Sequence, residues 1–130
     1  MDVQTPSQLL LRDEVFRIQG AAFVVSNTIG YGFLEAVYQE CLAIEFARRD
    51  IPFQAMPRLA LRYGDIPLRQ TYSPDFICFG AVIVELKVAR SLLPEHRAQV
   101  LNYLKASGLK VGVLVNFGAG PKVQIERFAL

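Results

Sequence analysis

The chain has 130 residues, 52% hydrophobic and 20% charged; this suits one domain with a true core and excludes a disordered tail. A net charge of +2 neither requires nor excludes a nucleic-acid partner, and two cysteines with one histidine are too few for a zinc site. No apolar run approaches the ~18 residues of a membrane span. The start, Met1 to Pro6, is acidic and polar, lacks the basic-then-apolar pattern of a secretory signal, and is expected to be a flexible lead-in. Residues 7–130 are expected to form a single cytoplasmic domain, with Cys41 and Cys78 as buried free thiols in a reducing compartment.

In chain order, Leu11, Val15, Ile18, Ala22 and Val25 recur at helical spacing and predict a helix from Ser7 to about Asn27, started at Thr5-Pro6-Ser7. Its small patch Gly20-Ala21-Ala22 would admit a close neighbour, and Gly30 and Gly32 break it. A second helix is predicted from about Phe33 to Arg49, with Leu34, Val37, Cys41 and Ile44 as the apolar stripe and Tyr38, Leu42 and Phe46 widening it. Phe53 to Tyr63 reads as one strand, with Pro57 suggesting an edge position or a bend. Gly64 to Pro67 reads as a turn and Leu68 to Tyr72 as a short strand. Then come strands Phe76 to Phe79 and Val82 to Val88, a helix Glu95 to Ser107 stopped by Gly108, an apolar strand Lys110 to Asn116 and a last edge strand Val123 to Phe128. This order predicts an α/β or α+β sandwich, a mixed sheet flanked by helices.

The stretch Asp75 to Val88 carries the chemistry. Glu85 and Lys87 are even-spaced charges on an otherwise apolar strand, so they share one face. A buried charge is costly unless paired, hydrogen-bonded or bound to metal. Asp75 lies ten residues before Glu85. A three-residue loop Phe79-Gly80-Ala81, with Gly80 left-handed, sets Asp75 opposite Glu85 on one face, whereas a two-residue loop would not. Two converging carboxylates favour Mg²⁺ or Mn²⁺, with the Leu86 backbone carbonyl as a third ligand. Lys87 would orient the attacking water or stabilise charge on a phosphate, and Glu35 could add a carboxylate through water. Glu35 also has a plain reading, as a first-turn acid favoured by the helix dipole. Tyr38 lies one turn beyond Glu35 on the same helix face, and His96, Gln99 and Tyr103 share a polar face of the later helix; these residues would position substrate. The plain alternatives are an ion pair for Glu85 with Lys87, ordinary helix packing for Gln99 and Tyr103, and a surface position for His96. Arg58, Arg62 and Arg69 could meet phosphates, although scattered arginines are more often solvated.

Asp75 followed by Glu85-Leu86-Lys87 resembles the signature of the PD-(D/E)xK nuclease superfamily. Gly32-Phe33-Leu34-Glu35-Ala36-Val37-Tyr38 is similar to the GxxExxY motif of one small prokaryotic branch. Gln99 to Lys105, with Gln99 and Tyr103 as a QxxxY pair, and Gly112 to Gly118 are further matches. The resemblance implies a restriction-endonuclease-like core, αβββαβ with an extra N-terminal helix, and a metal-dependent phosphodiesterase site. The implied site has Asp75, Glu85, Lys87, Glu35 and Gln99 as its catalytic set, and the implied partner is nucleic acid, DNA before RNA. A homodimer or a protein partner could supply specificity beyond so small a core. The chain departs from the branch at Ser26, where a histidine is expected; a weakened or inactive domain that binds nucleic acid or protein is therefore the alternative reading.

Overall fold

The structure, a computed structural model, describes residues 10–130. The expected lead-in and the expected helix start at Ser7 lie outside the described residues. Helix α1 runs Arg12–Ile29 and buries Val15, Ile18, Ala21, Ala22 and Val25. Asp13 and Glu14 lie in its first turn, where the helix dipole favours them. Gly30, at φ 72°, ends the helix, and its N–H donates to the Ser26 carbonyl at 2.9 Å. Helix α2 runs Glu35–Arg48, shorter at both ends than expected. Its buried face is Tyr38, Leu42 and Phe46, at steps of four. The expected stripe of Leu34, Val37, Cys41 and Ile44 turns largely outward: Leu34 is 80% exposed. The two stripes differ by about one residue's rotation, and the three large side chains won the core. Arg17 of α1 donates to the carbonyls of Arg49 (2.8 Å) and Asp50 (3.3 Å) at the end of α2.

The expected single strand over residues 53–63 is two strands, β1 (Phe53–Ala55) and β2 (Leu59–Tyr63). Met56, at φ 47°, turns the chain between them, with its N–H donating to the Asp75 carbonyl at 2.9 Å. The expected turn shrinks to Gly64-Asp65, because Ile66 and Pro67 already belong to β3 (Ile66–Tyr72). Pro67 is tolerated because β3 pairs on one side only, with β2, as a separate two-stranded ribbon. Strands β4 (Phe76–Cys78) and β5 (Val82–Lys87) form the central hairpin, and β6 (Val111–Asn116) and β7 (Gln124–Ala129) complete the main sheet. Its order is β1-β4-β5-β6-β7. Only β5 and β6 pair in parallel, and α3 (Pro94–Ser107) is the crossover between them. A parallel pair needs such a connection.

The sheet separates two cores. Val82, Val84, Leu86, Val111, Val113 and Val115 face α1 and α2. Ile77, Ile83 and Leu114 face α3, through Val100 and Leu104. This is the mixed sheet flanked by helices expected from the element order, and it is consistent with a restriction-endonuclease-like fold. Among the described residues no helix is long and apolar enough to cross a membrane.

Candidate active site

The hairpin register decides whether Asp75 and Glu85 meet. Phe76 pairs with Val84, Ile77 with Ile83 and Cys78 with Val82. The loop is therefore Phe79-Gly80-Ala81, with Phe79 and Gly80 both left-handed and the Ala81 N–H donating to the Cys78 carbonyl at 3.0 Å. One step further, the register sets Asp75 opposite Glu85 on the α3 side of the sheet. The two acids brace each other: the Asp75 N–H donates to Glu85 Oε1 (2.9 Å), and the Leu86 N–H donates to Asp75 Oδ2 (2.8 Å).

The next position in this register places Pro74 opposite Leu86. Proline has no N–H, so the ladder offers no donor to the Leu86 carbonyl. That carbonyl points to the same side as the Leu86 N–H, toward Asp75. The Asp75 and Glu85 carboxylates thus meet at the Leu86 backbone. Oxygen donors of this kind suit Mg²⁺ or Mn²⁺, which keep several waters and need only one or two carboxylates. Among the described residues no group of three or more His, Cys, Asp or Glu side chains is gathered as a metal cluster. Glu35 therefore stands apart from the two central acids.

Glu85 is 4% exposed, and Asp75 is half-buried. Burial pushes the Glu85 carboxyl up to about 9; its hydrogen bond to the Asp75 side chain and the charge of Asp75 add to the rise, while the Asp75 N–H and Lys87 oppose it. Lys87, half-buried, stands on the same face as Glu85. Glu35, at the start of α2, is an exposed residue, yet its carboxyl is raised, first by partial burial and then by the charge of Asp75, with Lys87 acting the other way. The structure thus brings Glu35 within electrostatic reach of Asp75 and Lys87.

On α3, Gln99 Nε2 donates to the Tyr103 hydroxyl at 3.0 Å. The Tyr103 hydroxyl is raised by burial first and then by the Glu85 charge, which places this pair beside the carboxylates. Two expected positioning residues stand elsewhere. Tyr38 is fully buried, stacks on Phe117 with centroids 4.5 Å apart, and donates to the Gly30 carbonyl at 2.7 Å. Its size and its single polar tip suit it to pinning the loop ahead of Glu35, not to meeting substrate. His96 Nδ1 accepts the Leu93 N–H at 3.0 Å, capping the start of α3. That N–H is one that a helix start leaves unsatisfied, so the ring is engaged by the helix itself.

Sequence reasoning missed three contributors. Gln39 Nε2 donates to Asp75 Oδ1 at 3.4 Å, from one turn beyond Glu35. Tyr72 stacks on Tyr103, with centroids 4.9 Å apart. Asn116 is fully buried; its Oδ1 accepts from the N–H groups of Ala89 and Gly118 (both 3.0 Å), and its Nδ2 donates to the Ala89 carbonyl (2.8 Å). Asn116 thereby ties the chain leaving Lys87 to the end of β6. The available signals were the helical spacing of Gln39 from Glu35 and an amide ending an apolar strand.

A crystal structure described as that of SSO0001 shares the fold with a TM-score of 0.57 at 13% identity, over 98% of this chain and 70% of that one. No curated protein matches the chain. A family model for the PD-(D/E)XK nuclease superfamily matches residues 12–128, which takes in the helix with Glu35, the hairpin, the crossover helix and both last strands. The chain belongs to the PD-(D/E)XK nuclease superfamily.

Proposed function

We propose that this chain is a divalent-metal-dependent nuclease of the GxxExxY branch that hydrolyses phosphodiester bonds in DNA. The observation that carries this reading is the meeting of Asp75 and Glu85 beside a Leu86 carbonyl that Pro74 cannot engage. These three groups would hold Mg²⁺ or Mn²⁺, and the bound ion would supply a water of lowered pKa and a polarised phosphoryl oxygen. Lys87, half-buried on the same face as Glu85, would orient the attacking water and offset charge growing on the phosphate. Glu35 would accept a hydrogen bond from a water of the site, and its carboxyl, raised by partial burial and by the Asp75 charge, suits a role in proton transfer. Gln99 and Tyr103, locked to each other, fix the far wall against which substrate rests.

A second reading keeps the fold without the reaction: a weak or inactive domain that binds nucleic acid or a protein. Ser26 in place of the branch histidine and the backbone N–H groups already on Asp75 and Glu85 favour it. Cleavage of a DNA duplex with Mn²⁺ or Mg²⁺ separates the two. Cleavage should vanish in Asp75→Ala and Lys87→Ala. Calorimetric titration with Mn²⁺ alone should lose its signal in Asp75→Ala but keep it in Lys87→Ala. Cleavage that survives Asp75→Ala refutes the nuclease assignment of this site.

A further inference from the structure

We infer that the β2–β3 ribbon is a duplex-binding arm that carries the DNA past the candidate site. This deepens the nuclease reading and rests on it. The ribbon is a two-stranded sheet separate from the main one, and residues 62–71 are all exposed. It carries three arginines, Arg58, Arg62 and Arg69, against a single acid, Asp65. In the sequence these arginines look scattered; the ribbon places them along one projecting element. Ala60 pairs with Thr71 and Arg62 with Pro67, so the irregularity between these pairs adds two residues to β3 and keeps the faces in phase. Arg62 lies in β2, Arg69 in the irregular part of β3, and Arg58 just ahead of β2; all three are exposed, and the Arg62 guanidinium also donates to the Asp65 carbonyl in the turn. The face that carries the Leu59–Tyr72 and Tyr63–Ile66 pairs has an inner and an outer part. Nearest the body, Leu59 packs in the α3-side core and Tyr72 stacks on Tyr103. Further out, Tyr63 (78% exposed) and Ile66 (61%) project from the tip.

Reach and charge both select the occupant. The six steps from Tyr72 out to Ile66 span about 20 Å. A duplex major groove is ~12 Å wide and admits a two-stranded ribbon. At its base, only Ser73 and Pro74 separate Tyr72 from Asp75, and Tyr72 leans on Tyr103 beside the candidate site. An arm of this length, rooted at the site, lies within one ~34 Å turn of a duplex whose scissile phosphate is at Asp75. Guanidinium groups give bidentate contacts to phosphate, and Tyr63 and Ile66 offer apolar surface to base edges or sugars.

The test compares the wild type with Arg58→Ala/Arg62→Ala/Arg69→Ala and with the matching triple lysine variant. Binding of a 20-base-pair duplex is read by fluorescence anisotropy across a salt series, without divalent metal. Hydrolysis of bis(p-nitrophenyl) phosphate with Mn²⁺ reads the site without the arm. The alanine variant should bind on the order of 100-fold more weakly at 0.1 M salt, and its slope of log affinity against log salt should be shallower by about three. The lysine variant should keep the slope, and both variants should hydrolyse the small ester within about twofold of the wild type. An unchanged slope and affinity in the alanine variant, with the wild type still cleaving DNA, overturns the arm alone. Loss confined to single strands, or equal loss of small-ester hydrolysis, also overturns it. A wild type that neither binds nor cleaves DNA removes the nuclease reading and the arm together.

Discussion

Gly118 offers a test of how the chain behind Lys87 is held. A Cβ added there would lie 2.5 Å from the Ala89 nitrogen, 2.8 Å from the Val88 carbonyl carbon and 2.9 Å from the Ala89 oxygen. All three are backbone atoms, so no side chain can swing away. Residues 88 and 89 would have to retreat by roughly an ångström to reach ordinary contact, an overpacking cost of about 1–3 kcal/mol. That retreat also stretches the bond from the Ala89 N–H to Asn116 Oδ1 (3.0 Å) and the bond from Asn116 Nδ2 to the Ala89 carbonyl (2.8 Å), which adds about 1 kcal/mol for a buried amide left partly unpaired. Gly118→Ala should therefore destabilise by about 2–4 kcal/mol, read as a lower urea midpoint with unchanged slope. Because Lys87 lies just upstream of the displaced segment, the cleavage rate with Mn²⁺ should fall by roughly 10- to 100-fold in protein that is still folded. Gly112→Ala is the comparison: its added Cβ would meet Val100 Cγ1 at 2.7 Å, a buried β-branched side chain with little freedom in α3, so a similar overpacking cost of about 1–3 kcal/mol is expected, with less change in rate because the strain falls on α3 and not on the chain after Lys87. A Gly118→Ala protein within 0.5 kcal/mol of the wild type would refute the clamp.

In chelator, Glu85→Gln should stabilise the protein, and more so as pH rises. The Glu85 carboxyl is raised from 4.5 to about 9 on folding, so its contribution is intact below the unfolded value and is lost as pH climbs through the folded one. The neutral amide escapes that loss, giving a gain on the order of 2 kcal/mol at pH 8 and none near pH 4 by thermal melts; a pH-independent difference contradicts the assignment. Tyr38→Phe keeps the stack on Phe117 and removes the bond to the Gly30 carbonyl, so about 1 kcal/mol should be lost in urea titrations while Mn²⁺ affinity is unchanged. Glu126 is lowered by its two hydrogen bonds from Arg97 (2.8 Å each). Its stabilising contribution is present above the unfolded value and disappears as pH falls through the folded one, so Glu126→Gln should converge with the wild type in acid melts.

The hairpin was the most legible part of the chain. The ten-residue spacing of Asp75 and Glu85 with a glycine between them specifies a loop of odd length, and the register followed. Gly108 marked the end of α3 equally well, since it sits left-handed at the C-cap. The chain between residues 53 and 72 was read less well. Nothing in Ala55-Met56-Pro57-Arg58 announces that Met56 adopts φ 47° to reach the Asp75 carbonyl; that conformation is fixed by tertiary contact. On α2 two apolar stripes compete one residue apart, and only packing against Phe53, Phe76 and Phe117 selects the face with Tyr38 and Phe46. Arg58, Arg62 and Arg69 come onto one exposed arm only through the pairing of β2 with β3, which their spacing alone does not reveal.

The crossover from β5 through α3 to β6 has a bearing on when the chain becomes competent. The hairpin is local and can close early, so the two acids meet soon after both are available. Gln99 and Tyr103 dock only when the parallel partner strand is laid down, and Asn116 at the end of that strand secures the segment after the lysine. A partly folded molecule would then carry its acids without Gln99, Tyr103 or the anchored lysine, and on the proposed nuclease function would spare nearby nucleic acid until the last strands are in place.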